Sequence, residues 1–279
     1  MDRRLILGYL TPIISCLFIS VGFVRLFKLG GLSSSIYSSP SGAYEQMVWT
    51  LSLTLVGLIG VVLLYWLTKR RRDFEIRVLV SLVVAPTSAI LVIIVSQTVL
   101  MVIAKTVSSF MTSIIVLISL YVAVFSMIFI VSNVFSSRLR SLIFIVYGAL
   151  LGSFVSLLLP TVSLVVMLIV VSVFDLIILN TGWVVEIVRG FGESQSKSSR
   201  LSYIGEGVEI GMGELIFYSF LPAHVEAYYG NDLLIATLLM IGIGVILNLW
   251  ALKKKGVVAG LPAPILLGLT PLIISLLLK

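Results

Sequence analysis

Long apolar runs alternate with short polar or basic clusters along the chain, and they divide it into nine segments. A helix rises about 1.5 Å per residue and a bilayer core is about 30 Å thick, so each run predicts one membrane-crossing helix. The segments lie at 5–27, 47–68, 78–104, 110–131, 142–159, 160–180, 208–224, 233–252 and 262–278. Pro86 falls inside the third and predicts a kink there. Gly148 and Gly152, four apart in the fifth, predict close approach of a neighbouring helix or simple tolerance of glycine in lipid. The first run continues about ten residues beyond Cys16, longer than a signal peptide needs, and reads as a retained span. Between the runs, 28–44 is rich in Ser, Gly and Pro and reads as a loop. Residues 183–189 mix apolar and charged positions, which suits a short helix lying at the interface. The expectation is one membrane domain over 1–279: six helices and the interfacial segment at 1–189, a polar cytoplasmic loop at 190–207, and three helices at 208–279.

Composition sharpens this picture. A chain of 279 residues that is 59% apolar, with a mean hydropathy of +1.21, is not an ordinary soluble domain. An all-α membrane protein is expected. The net charge of +7 would suggest nucleic acid in a soluble protein; here the bases follow the membrane instead. If the N-terminus is cytoplasmic, fifteen bases fall inside: Arg3 and Arg4; the run at 69–72 with Arg77; Arg138 and Arg140; Arg189, Lys197 and Arg200; and the run at 253–255. Only Arg25, Lys28, Lys105 and Lys279 fall outside. Loops enriched in Lys and Arg stay on the cytoplasmic side, so nine spans with the N-terminus inside and the C-terminus outside are expected in the cell membrane. No nucleic-acid partner is expected.

Candidate chemistry is sparse. With one cysteine and one histidine there is no disulfide framework and no Cys/His metal cluster, so neither metal nor cofactor is expected. Two acids remain inside apolar segments, Asp175 in VVSVFDLIILN and Glu214 in GVEIGMGELIFYSF. A carboxylate at mid-membrane costs roughly 2.5–3.5 kcal/mol on insertion, and such groups persist where they have a partner. Counting from the outer end of the sixth segment, Asp175 lies about 22 Å along, about 8 Å short of the cytoplasmic edge. Counting from the inner end of the seventh, Glu214 lies about 9 Å in. The two acids therefore match in depth. Gly207, Gly211 and Tyr218 share the helical face of Glu214, and Gly213 removes a side chain beside it, so a close approach of the sixth segment is expected.

Two carboxylates a few ångströms apart tend to share one proton. One can take a proton from water while the other hydrogen-bonds a scissile carbonyl. From the acids alone three readings stand open: a protease, a proton or cation relay in a carrier or leak, and a structural polar contact. His224 is expected at the outer interface.

At this point the residues resemble a known family, the presenilin and signal peptide peptidase group of intramembrane aspartyl proteases. Phe174-Asp175 is similar to its Tyr-Asp motif, Gly211-Met212-Gly213-Glu214 to its GxGD motif, and Gly260-Leu261-Pro262-Ala263 to the start of its PAL motif, which here reads Pro262-Ala263-Pro264. The short loops look like those of microbial, archaeal members. The resemblance implies a presenilin-like fold and hydrolysis of peptide bonds within transmembrane helices. It implies catalytic roles for Asp175 and Glu214, and a role for Gly211, Gly213, Pro262, Ala263 and Pro264 in shaping the site. It also implies that substrate unwinds and adds as a strand beside the loop preceding the seventh helix. The N-inside orientation is similar to presenilins, which implies transmembrane substrates with their N-terminus outside.

Three departures accompany the resemblance. Phe174 lacks the tyrosine hydroxyl, Pro264 stands in place of Leu, and Glu214 stands in place of Asp. The extra methylene of Glu214 moves its carboxylate by about an ångström, and a misplacement of that size can slow a reaction about a hundredfold. An impaired protease, or an inactive protein that only binds transmembrane peptides, is therefore also on the table.

Overall fold

The computed structural model describes residues 3–31, 48, 52, 73–105, 108–131, 136–180, 202–205, 208–255 and 258–278. Among them are eight helices and one two-stranded sheet. We label the helices α1 (Arg3–Leu29), α2 (Asp73–Ala104), α3 (Ser109–Val131), α4 (Ser137–Leu158), α5 (Thr161–Asn180), α6 (Met212–Tyr228), α7 (Asn231–Lys255) and α8 (Pro262–Leu277). The strands are β1 (Ser202–Gly205) and β2 (Val208–Gly211). The expected second span at 47–68, apart from Val48 and Ser52, the interfacial segment at 183–189 and the stretch 190–201 lie outside the described residues.

Among the described residues, five helices are long and apolar enough to cross a membrane, and α5 and α8 are shorter apolar helices. The chain is a multi-pass membrane protein. Its outer surface agrees: Leu82, Phe110, Leu120 and Tyr121 are turned outward and exposed, an arrangement that suits hydrocarbon rather than water.

The centre is a triad of α1, α4 and α6, each packed against the other two. Small residues make this possible. A Cβ at Gly148 would lie 3.2 Å from Leu215 Cβ, and one at Gly152 would meet Ser219 Oγ and lie 2.9 Å from the Ile216 carbonyl. The Gly148/Gly152 pair is therefore the seat of α6 on α4, and the Ser219 hydroxyl donates to the Gly148 carbonyl at 3.1 Å. Cys16, Ala149, Leu215 and Leu221 fill the space between. Ser136 starts α4, its hydroxyl accepting from the Leu139 amide.

Two helix pairs flank the triad. The α2–α3 pair is joined to it through α2, where Thr87 and Tyr147 share a hydrogen bond of 2.5 Å. Pro86 sits inside α2, which remains one continuous helix. The α7–α8 pair attaches to α6, and α5 packs chiefly on α8 and only marginally on α6.

The seventh expected helix begins later than the sequence reading placed it. Residues 208–211 are not its first turn but strand β2, paired antiparallel with β1 in the register Ser202↔Gly211 to Gly205↔Val208. The strand β1 lies in what was expected to be a polar loop. Val208 and Ile210 alternate with Glu209 and Gly211, a two-residue period, and Gly211 caps α6 with extended angles (φ −66°, ψ 142°). The hairpin rests against α1 and α4.

Candidate active site

Asp175 and Glu214 approach the same short piece of backbone. Leu261 caps the N-terminus of α8, and its amide donates to Asp175 Oδ2 at 3.1 Å. One residue earlier, a Cβ at Gly260 would lie 2.5 Å from Glu214 Cδ and 2.6 Å from each of its carboxylate oxygens. The two acids thus abut consecutive residues and lie within electrostatic reach of each other. Both are half-buried. Glu214 sits in the first turn of α6, closer to the helix start than expected, because β2 takes up the preceding residues.

The expected route to this convergence was a direct approach of two neighbouring helices along a glycine face. The structure uses the start of α8 instead. A Cβ at Gly213 would meet nothing within 4 Å, and one at Gly211 would meet only Glu214 Cγ at 4.0 Å. The glycine that makes room is Gly260. Gly207 lies outside the described residues.

The segment carrying Gly260 is fixed from α6 and α7. The Tyr218 hydroxyl donates to the Gly260 carbonyl at 2.6 Å, and Asn248 Nδ2 donates to the same oxygen. Tyr9 of α1 lines the small cavity beside Glu214 together with Asn248. One turn before Asn248, Gly244 lets α7 meet the backbone of Ala263 and Pro264; a Cβ there would sit 2.7 Å from the Ala263 carbonyl oxygen. Sequence reasoning missed Tyr9, Asn248 and Gly244, and it had Gly260 only as part of the motif stretch at the start of the last helix. Asn248 carried a signal, being an amide in the middle of an apolar span, where polar groups are kept for a partner.

Pro262 and Pro264 are accommodated for a plain reason. They occupy the first turn of α8, where backbone N–H groups have no intrahelical partner, so their missing donors leave no helix bond unmade. Pro262 and Ala263 line an apolar cavity of about 200 Å³ together with Leu176, Leu179 and Ala251. Pro264 is buried against Gly244. A second, smaller cavity of about 60 Å³ reaches Glu214, between Tyr9, Asn248, Leu252 and Gly260, and shares Asn248, Val258 and Ala259 with the first. A water needs roughly 10–15 Å³ of such space and two or more polar partners, which Tyr9, Glu214 and Asn248 offer.

His224 lies toward the far end of α6 from Glu214. It is fully buried, with Nδ1 2.9 Å from the Ser156 carbonyl and Nε2 3.0 Å from Thr161 Oγ1. At the same end of the protein, Arg25 Nε donates to Glu226 Oε1 at 3.1 Å.

No family model and no curated protein matches the sequence. Solved structures do. Two crystal forms of a presenilin family intramembrane aspartate protease superpose on this chain, both at 14% identity. The first has a TM-score of 0.63 and covers 98% of this chain and 99% of its own. The second has a TM-score of 0.61 and covers 98% of each. The fold is therefore presenilin-like.

Proposed function

We propose that this chain, built on the fold of presenilin family proteases, is an intramembrane aspartic endopeptidase of the cell membrane that hydrolyses peptide bonds within transmembrane helices. The observation that carries the reading is the meeting of Asp175 and Glu214 on consecutive residues, Gly260 and Leu261. In this reading both acids are catalytic. The Leu261 amide occupies Oδ2 of Asp175, which leaves Oδ1 to take a proton from an attacking water. Glu214 carries the proton that the pair shares; its carboxyl O–H donates to the scissile carbonyl oxygen, passes its proton to the developing oxyanion as the C–O bond forms, and takes it back when the carbonyl re-forms. The proton held on Asp175 then passes to the departing amine as the C–N bond breaks. Water has a way in through the small cavity beside Glu214.

Substrate would lie against the larger, apolar cavity. The apolar cavity at Pro262 and Ala263 favours an apolar side chain beside the cleaved bond. A helical peptide bond is shielded, and unwinding it in lipid requires new partners for the freed backbone groups. The β1–β2 hairpin leading directly into α6 offers an edge for strand addition. The distribution of Lys and Arg favours a cytoplasmic N-terminus and substrates with their N-terminus outside.

The test is a reconstitution with a fluorogenic single-span reporter helix. Asp175→Asn is expected to abolish cleavage and Glu214→Asp to raise it. Equal turnover by the parent and both variants would defeat the assignment. Proton or cation flux that depends on Asp175, without cleavage in any form, would favour the relay. Cleavage only in Glu214→Asp would make the parent an inactive peptide binder.

A further inference from the structure

The peptide group between Gly260 and Leu261 is gripped from both sides. Its carbonyl accepts from the Tyr218 hydroxyl at 2.6 Å and from Asn248 Nδ2, and its amide donates to Asp175 Oδ2 at 3.1 Å. In a trans peptide the C=O and N–H point in opposite directions within one plane. Whatever holds the carbonyl therefore aims the amide. A carbonyl oxygen has two lone pairs, and here two donors address it, so the plane turns only if both bonds break.

Gly260 has no side chain to anchor it. Tyr218 and Asn248 are 1% and 5% exposed and come from different helices. Tyr218 stands one turn after Glu214 on the same face of α6. A hydrogen bond accepted by the carbonyl also polarises the amide and strengthens the bond it donates.

We infer that Tyr218 and Asn248 are positioning residues for Asp175, acting through the Gly260–Leu261 peptide. They keep one carboxylate oxygen occupied and the other turned toward the water. The inference rests on the protease reading above, since that is the reaction served.

The test uses the full chain in bilayers with the same reporter helix. Tyr218→Phe removes one hydroxyl at nearly constant volume, and Tyr218 lines neither cavity. Its kcat is expected to fall on the order of tenfold, the scale of one lost hydrogen bond, with KM within about twofold. Asn248→Leu, which keeps size and loses the donor, should lower kcat similarly, and the double variant should fall further. A second readout is independent of turnover: the Leu261 amide proton in 15N-leucine-labelled protein, assigned by its loss in Leu261→Ile. It is expected to move upfield in Tyr218→Phe, in Asn248→Leu and in Asp175→Asn. A resonance that stays in place in the first two variants, or one that moves while kcat is unchanged, overturns the inference alone. Absence of cleavage in every form, Glu214→Asp included, overturns the protease reading and this inference with it.

Discussion

The Leu261 amide donates to Asp175 Oδ2 at 3.1 Å across 86 positions of sequence, tying the acid of α5 to the entrance of α8. Its φ of −77° is one that proline can adopt, so Leu261→Pro deletes the donor while leaving the backbone path open. Cleavage of the reporter helix should fall about ten- to a hundredfold. Leu261→Ala removes more side chain but keeps the N–H, and it should retain more activity. The reverse order in measured kcat would show that the side chain, and not the hydrogen bond, matters.

Glu214 and Gly260 should be coupled. A methyl group at Gly260 would overlap the Glu214 carboxylate, whereas Glu214→Asp withdraws that carboxylate by a methylene. Gly260→Ala is therefore expected to be nearly inactivating in the parent, and its penalty at least about tenfold smaller in the Glu214→Asp background. The four kcat/KM values of this double-mutant cycle give the coupling directly. Equal penalties in both backgrounds would mean that Gly260 serves the backbone alone.

How much of this was legible beforehand follows from what periodicity can report. The runs that became α1 to α8 stand out because each is a long, nearly uninterrupted apolar stretch. The acids stood out because carboxylates are costly in such stretches. The strand at Val208–Gly211 did not, because a short apolar run fits strand and helix equally and was absorbed into the longer run after it. The choice of Gly260 over Gly211 and Gly213 as the close contact was also hidden. It depends on α8 reaching between α5 and α6, a tertiary fact with no signature in local sequence. The same holds for Tyr218 and Asn248, whose roles exist only once the Gly260 carbonyl is brought between them.

The seat of α6 on α4 predicts a stability effect with no direct catalytic component. Gly152→Ala places a methyl group against Ser219 Oγ and the Ile216 carbonyl, and overpacking of this kind costs about 1–3 kcal/mol. Gly242→Ala meets nothing within 4 Å and should be neutral or stabilising, since alanine is the better helix former. Thermal unfolding in one detergent should rank Gly152→Ala lowest, the parent in the middle, and Gly242→Ala equal or highest. A Tm for Gly152→Ala equal to that of the parent would remove the close packing of α4 and α6 as a source of stability.

His224 gives the last prediction, and its protonation pattern follows from its partners. The Ser156 carbonyl can only accept, so Nδ1 carries the hydrogen, and Nε2 then accepts from the Thr161 hydroxyl. Thr161 Oγ1 in turn accepts from the Tyr229 hydroxyl at 3.0 Å, so the chain of donors runs from Tyr229 through Thr161 to the ring. This network pins the α4–α5 junction to the end of α6 away from Glu214. His224→Ala leaves the Ser156 carbonyl and the Thr161 hydroxyl without their partner in a buried site, a cost of about 2–3 kcal/mol. In His224→Asn the side-chain amide can take the place of Nδ1–H, and about half of that loss should be recovered. Glu214 lies ten residues away on the same helix, about 15 Å along its axis, so kcat of the folded variants should match the parent even where their Tm is lower. A fall in kcat at full thermal stability would instead place His224 in communication with the acids.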